Sequence, residues 1–165
     1  MRLALFSSDI EPTNGYGTIT RELCAELHHQ NIDFSLFLPK RCAAYCNKST
    51  FPFPTRCVLP PYVYRIYQPA GLRYFLPIDV RPFDIVHSLF DFPYCVHACV
   101  SATRWKKPFM MGAQGTYGVR PLTHIPERWL LKWSYRSAKH IVVPSAFTRE
   151  KILDYAKASY PIYII

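Results

Sequence analysis

Short apolar runs alternate with helix-length segments from one end of this 165-residue chain to the other, and few folds accept that pattern. Arg2–Ser7, Phe34–Leu38, Thr55–Leu59, Asp84–Ser88, Pro108–Met111, Ile141–Val143 and Tyr160–Ile165 read as strands. The runs are short, largely apolar and bounded by turn residues, as strands buried on both faces are. Thr18–Gln30, Asp91–Thr103, Pro126–Lys139 and a segment capped by Ser145 and running to about Ala156 read as helices. Strands alternating with helices predict an α/β fold, a Rossmann-like parallel sheet flanked by helices and joined by right-handed crossovers. No linker divides the chain, so residues 1–165 are expected to form one domain.

Local signals set the expected boundaries. Thr18 is placed to cap the first helix, whose Ile19, Leu23 and Leu27 would make one core-facing stripe. Asn31 can end it in the left-handed region. Pro126, Glu127 and Lys139 are ordered as the macrodipole prefers. Residues 39–82 hold eight of the 15 prolines, so long regular elements are not expected there. Gly71–Leu76 reads as a helical turn. Tyr62–Tyr67 reads as a strand or an aromatic arm packed on the sheet, with base stacking as the other use of such rings.

Five of the six glycines fall in two clusters just past predicted strands, Asn14-Gly15-Tyr16-Gly17 and Gly112-Ala113-Gln114-Gly115-Thr116-Tyr117-Gly118. Ligands of open parallel sheets bind beyond the carboxyl ends of the strands. Two glycine loops there predict two walls of one cleft. The amides of Gly15 and Gly17, with the start of the first helix, can bind an anion, or the glycines can simply form a strand-to-helix turn.

Twenty basic and 11 acidic side chains give a net charge of +9, which favours anionic partners. Arg128, Lys132 and Arg136 repeat at helical spacing, with Trp129 and Trp133 on the adjacent face. A basic helix with tryptophans can lie on an anionic membrane surface, or the rings can pack inward and leave the charges solvated. No nucleic-acid-binding signature is present, and nucleic acid is not an expected partner. The six cysteines, with no secretory signal at the start, predict free thiols and a cytoplasmic location, peripheral to the inner face of a membrane if the basic helix binds there. Cys95, His97 and Cys99 lack the spacing of a structural zinc site, so no metal is expected.

Four segments in order resemble the N-terminal domain of the retaining GT-B glycosyltransferases, family four. They are Asn14–Gly17 leading into Arg21-Glu22-Leu23, then Phe83–Ser88, then Gln114-Gly115-Thr116, and finally Ser137–Ser145 with Thr148-Arg149. Together they span nearly the whole chain. The resemblance implies the N-terminal half of a GT-B fold, in an enzyme that moves a sugar from a nucleotide diphosphate-sugar to an acceptor hydroxyl with retention. It implies that Asn14, Gly15, Tyr16 and Gly17 touch the donor diphosphate. It also implies that Gln114, Gly115 and Thr116 are the catalytic positions, facing the transferred sugar or the acceptor hydroxyl, and that His87, Asp91, Tyr117 and Arg120 are positions for the acceptor, carbohydrate or lipid-linked. His87 can equally be structural, and Asp91 can equally cap its helix. Members often carry histidine where Gln114 stands, and glutamine positions without titrating. No cofactor is implied, since the nucleotide-sugar is a substrate. Family members continue into a second domain that supplies most donor contacts. The sequence ends at Ile165, so the resemblance implies an acceptor-side half, inactive alone, completed by a C-terminal domain or a partner subunit.

Two other classes fit the same pattern less well. A nicotinamide-binding oxidoreductase needs G-x-G-x-x-G tight against strand one and an acidic residue after strand two, where this chain has Lys40. A non-catalytic half-domain that binds an acceptor, a membrane or a partner is the remaining alternative.

Overall fold

The computed structural model describes residues 1–46, 51–63, 65–66, 68–90, 92–114, 116–157 and 160–165. Among them, seven parallel strands form one sheet in the order β3-β2-β1-β4-β5-β6-β7. The strands are β1 (Arg2–Phe6), β2 (Asp33–Pro39), β3 (Thr55–Leu59), β4 (Ile85–Ser88), β5 (Phe109–Gly112), β6 (His140–Val143) and β7 (Ile162–Ile164). All seven coincide with apolar runs predicted above. The helices are α1 (Gly15–His29), α2 (Tyr94–Arg104), α3 (Thr116–Val119), α4 (Glu127–Ser137) and α5 (Ala146–Ala156).

Both faces of the sheet are covered, which is why β1 and β2 are continuously apolar. Leu3, Leu5, Leu36 and Leu38 pack with Cys24 of α1 on one face. Ala4, Phe6, Phe37 and Val86 pack on the other, with Cys95 and Cys99 of α2, Leu131 and Tyr135 of α4 and Ile152 of α5. The chain runs from β1 outward through β2 to β3, then returns past β1 to start the other half at β4. The loops after β1 and β4 therefore diverge, and they leave a crevice at the carboxyl ends.

Helix α1 differs from expectation in its start and its face. It begins at Gly15, so the first glycine cluster is its opening turn and not a loop. Asn14 is the cap: its Oδ1 accepts the Gly17 N–H at 2.7 Å. The Thr18 hydroxyl instead donates back to the Asn14 carbonyl at 3.1 Å. Gly17, Thr20 and Cys24 are the buried stripe; of the predicted stripe, Leu23 and Leu27 pack half-buried against the core, while Ile19 is 40% exposed. Small residues face the sheet because the helix start lies hard against the β1 end, where the Thr20 and Ser7 hydroxyls meet at 2.8 Å. Asn31 does take the left-handed conformation, with φ 56°.

The proline-rich region is irregular, as expected. Its regular pieces are β3 and two 3-10 helices, Lys40–Tyr45 and Pro69–Phe75. Among the described residues of the predicted segment Tyr62–Tyr67 none is in a strand: Ile66 enters the core and Tyr62 is 42% exposed. Tyr64 and Tyr67 lie outside the described residues. Ser145 caps α5 as predicted, accepting the Thr148 N–H at 3.2 Å. Cys95, His97 and Cys99 are buried within α2, and among the described residues no His, Cys, Asp and Glu side chains group to hold a metal.

Candidate functional site

A cavity of about 230 Å³ occupies the crevice between the β1 and β4 ends. Ser8, Asp9 and Asn14 enter from the β1–α1 loop, and Tyr16 from the first turn of α1. Phe90, Phe92 and Tyr94 enter from the β4–α2 connection, and Tyr62 from the irregular region. Arg41 reaches in from the short 3-10 helix after β2. The site thus gathers residues from four separate segments.

The cavity is built on Asp9, a carboxylate only 6% exposed. Its Oδ1 accepts the N–H groups of Ile10 at 2.8 Å and Glu11 at 2.9 Å. Its Oδ2 accepts Arg41 Nη2 at 2.8 Å. Burial pushes the Asp9 pKa up, but the Glu11 and Ile10 amides and the Arg41 guanidinium outweigh it and hold the carboxyl below its ordinary value. Asp9 is therefore ionised at neutral pH and occupied on both oxygens. It cannot serve as a ready proton acceptor, and it positions Arg41 instead. The Arg41 guanidinium also donates to the Ser8 carbonyl at 3.0 Å, and its side chain remains about half exposed. The outcome is a fixed cation at the mouth of the cavity.

Aromatic rings make up much of the remaining wall. Tyr16 and Phe90 meet edge to face with centroids 4.5 Å apart. The Tyr94 hydroxyl donates to the Pro60 carbonyl at 3.2 Å, and burial pushes its pKa up to about 12. A fixed cation among π-faces suits a ligand with hydroxyl or anionic groups on a compact body that carries C–H faces.

The sequence-predicted residues are divided by this geometry. Asn14 and Tyr16 line the cavity. Gly17 is buried beside it, with its amide bonded to Asn14, and a Cβ at this position would collide with the Glu11 backbone carbonyl. Gly15 is exposed with open space around its Cα. His87 lies inside β4, within the strand predicted over Asp84–Ser88, half-buried on the face that carries Leu5. Burial drops its pKa to about 4, so it is neutral near pH 7. Gln114 follows β5 at the carboxyl edge of the sheet and does not line the cavity. Arg120 lines a different hollow of about 450 Å³ with Phe147, Lys151 and Tyr155, formed by the segments that follow β5 and β6. Asp91 and Gly115 lie outside the described residues, as do the side chains of Thr116 and Tyr117.

Sequence reasoning missed Asp9, Arg41 and the Phe90, Phe92 and Tyr94 wall. The position of Asp9 just beyond β1 was the available signal, since the crevice rule points to that loop.

On α4, Trp129 is 65% exposed, whereas Trp133 packs against the core. The two tryptophans do not share one fate. The basic stripe is present: desolvation first, then the charges of Arg128, Arg136 and Lys157, depress the Lys132 pKa. No helix of the described residues is long and apolar enough to cross a membrane.

Residues 13–165 match the model of one protein family, described as Glycosyltransferase Family 4. No curated protein matches the chain.

Proposed function

The chain belongs to glycosyltransferase family 4, and from that premise we propose that it is the acceptor-side half of a retaining GT-B enzyme. The intact enzyme would transfer a sugar from a nucleotide diphosphate-sugar to an acceptor hydroxyl. The observation that carries this reading is the cavity at the β1–β4 switch point, with Arg41 fixed by Asp9 among Tyr16, Phe90 and Phe92. In this reading the rings receive the C–H faces of an acceptor sugar and Arg41 donates to its oxygens. The donor sugar would approach from the carboxyl edge that bears Gln114, with a second domain or partner subunit holding the nucleotide. A half-domain that binds the acceptor without catalysis makes the same use of the cavity.

Arg41→Met is the direct test of the binding role. It removes the cation while keeping an apolar stem of similar length. Monosaccharide and disaccharide glycosides and uridine diphosphate would be titrated against the wild-type chain by NMR. Shifts in the aromatic resonances of the cavity are expected with a glycoside, with affinity falling about tenfold in Arg41→Met, the loss of one charge-assisted hydrogen bond. Equal affinity in the two proteins would remove Arg41 from the site. Sugar transfer by the 165-residue chain alone would overturn the half-enzyme reading.

A second reading rests on the α4–α5 surface and concerns location. Arg128 shares a hollow with Lys151 and Lys157. Exposed Ile125, Trp129 and Phe147 lie in the same part of the chain, at 61%, 65% and 67%. Charge and apolar rings together suit peripheral contact with anionic lipid, and so a lipid-linked acceptor. The chain is expected to float with vesicles containing anionic phospholipid and not with zwitterionic ones. Replacing Arg128, Lys132 and Arg136 by glutamine should cut partitioning about a hundredfold, at roughly 1 kcal/mol per charge. Failure to float with either vesicle would remove the membrane.

A further inference from the structure

Cys46 and Cys57 stand apart from the other cysteines in both position and exposure. Cys46 ends the 3-10 helix that carries Arg41, and Cys57 lies on β3, the edge strand. Their Sγ atoms are 3.3 Å apart. A disulfide joins sulfurs at about 2.05 Å, so an approach of roughly 1.3 Å separates this thiol pair from a bond. Both residues are partly exposed, whereas Cys24, Cys42, Cys95 and Cys99 are buried. A small solute therefore meets this pair before any other sulfur. The Cys46 thiol also donates to the Cys42 carbonyl at 3.3 Å, which aligns the sulfurs along one hydrogen-bonded line.

We propose that Cys46 and Cys57 form an oxidative modification site, a dithiol that a hydroperoxide converts reversibly to a disulfide. In the first step the Cys46 sulfur attacks a peroxide oxygen. An S–O bond forms, the O–O bond breaks, and with hydrogen peroxide one water leaves with the thiol proton. In the second step the Cys57 sulfur attacks the Cys46 sulfenic sulfur. The S–S bond forms, the S–O bond breaks, and the hydroxyl leaves as water with the Cys57 proton. Two thiols lose two electrons, and one hydrogen peroxide becomes two waters. Burial, and after it the adjacent Cys46 sulfur, push the Cys57 thiol up to about 12, so Cys57 holds its proton near neutral pH and leaves the first attack to Cys46. The bond ties the helix that carries Arg41 to the sheet edge, beside the cavity but outside its wall. It does not depend on which ligand the cavity takes.

The test uses the whole chain in its native state. It is exposed to hydrogen peroxide, quenched with N-ethylmaleimide in denaturant so that buried thiols also react, digested without reduction and analysed by mass spectrometry. Four of the six cysteines should carry maleimide, and Cys46 and Cys57 should appear in one cross-linked peptide 2 Da lighter than the pair. Dithiothreitol should restore all six. Oxidation of Cys24, Cys42, Cys95 or Cys99 ahead of this pair, or a cross-link of different pairing, would overturn the proposal. Cys57→Ser supplies a second readout. Cys46 should then stop at the sulfenic acid and be trapped by dimedone. Absence of that adduct, in a protein whose circular dichroism matches the wild type, would also overturn it.

Discussion

Asp9→Ala is expected to lower the stability of the domain by about 3 kcal/mol, the scale set by buried backbone amides left without an acceptor. The Ile10 and Glu11 amides and the Arg41 guanidinium all lose their acceptor. Arg41 can rehydrate, because its side chain is 52% exposed. Ile10 is fully buried, so its amide has little access to water. Asp9→Asn keeps an oxygen for the amides but loses the charge and the acceptor for Arg41, which can turn to water, and it should cost about 1 kcal/mol. The pH dependence carries the sign. The folded carboxyl titrates below its ordinary value of 3.8, so its contribution is complete above that value. It is lost as pH falls through the lower folded pKa. Urea titrations of the wild type and Asp9→Asn should therefore give curves that converge in acid. A constant gap from pH 7 down through the acid range would show that the charge of Asp9 contributes nothing.

The same residue marks where sequence reading stops. β1 and β2 are legible because a parallel strand buried on both faces is largely apolar. α5 is legible because Ser145 carries its own capping oxygen. Arg41 is not legible. The six residues Lys40–Tyr45 form a 3-10 helix with no amphipathic period, and the partner that fixes Arg41 lies 32 positions away. Thr18 misleads for a related reason. It and Asn14 are both competent caps, and the choice falls to Asn14 because α1 packs its first turn onto the β1–α1 loop, a tertiary contact. His87 reads as part of its strand, but the strand alone does not say which face the ring takes. Only the register, with His87 opposite Leu5, sets that face.

The second glycine cluster makes a related point. Gly112 ends β5, and a Cβ there would collide with the Leu89 carbonyl of the β4–α2 connection. That connection supplies Phe90 and Phe92 to the cavity wall. Close approach of backbone to backbone, and not of backbone to ligand, therefore accounts for this glycine. In this chain Gly17 and Gly112 both sit where one backbone segment passes close to another, Gly17 against Glu11 and Gly112 against Leu89.

Gly17→Ala and Gly15→Ala should have opposite effects, although the two glycines stand one residue apart in one motif. A methyl group at Gly17 would land on the Glu11 carbonyl, and the backbone nitrogen and carbon of Glu11 are crowded as well. Glu11 cannot retreat freely, because its own N–H is held by Asp9 at 2.9 Å. Either α1 lifts from the sheet or the Asp9 loop moves, and the substitution should cost about 3 kcal/mol, at the upper end of the range for overpacking. Gly15 has open space around it and lies in the first turn of the helix, where alanine restricts the unfolded chain and should add about 0.5 kcal/mol. Denaturant midpoints measure both effects, and comparable losses at the two positions would contradict the close-packing account of Gly17. The pair also separates packing from ligand contact. If the Gly15 amide approaches a donor diphosphate, Gly15→Ala should weaken binding of a nucleotide diphosphate while leaving stability intact or improved. Unchanged affinity would confine this glycine to the helix start. Gly17 cannot decide the matter, since its amide is bonded to Asn14 and its substitution disturbs the loop that holds Arg41.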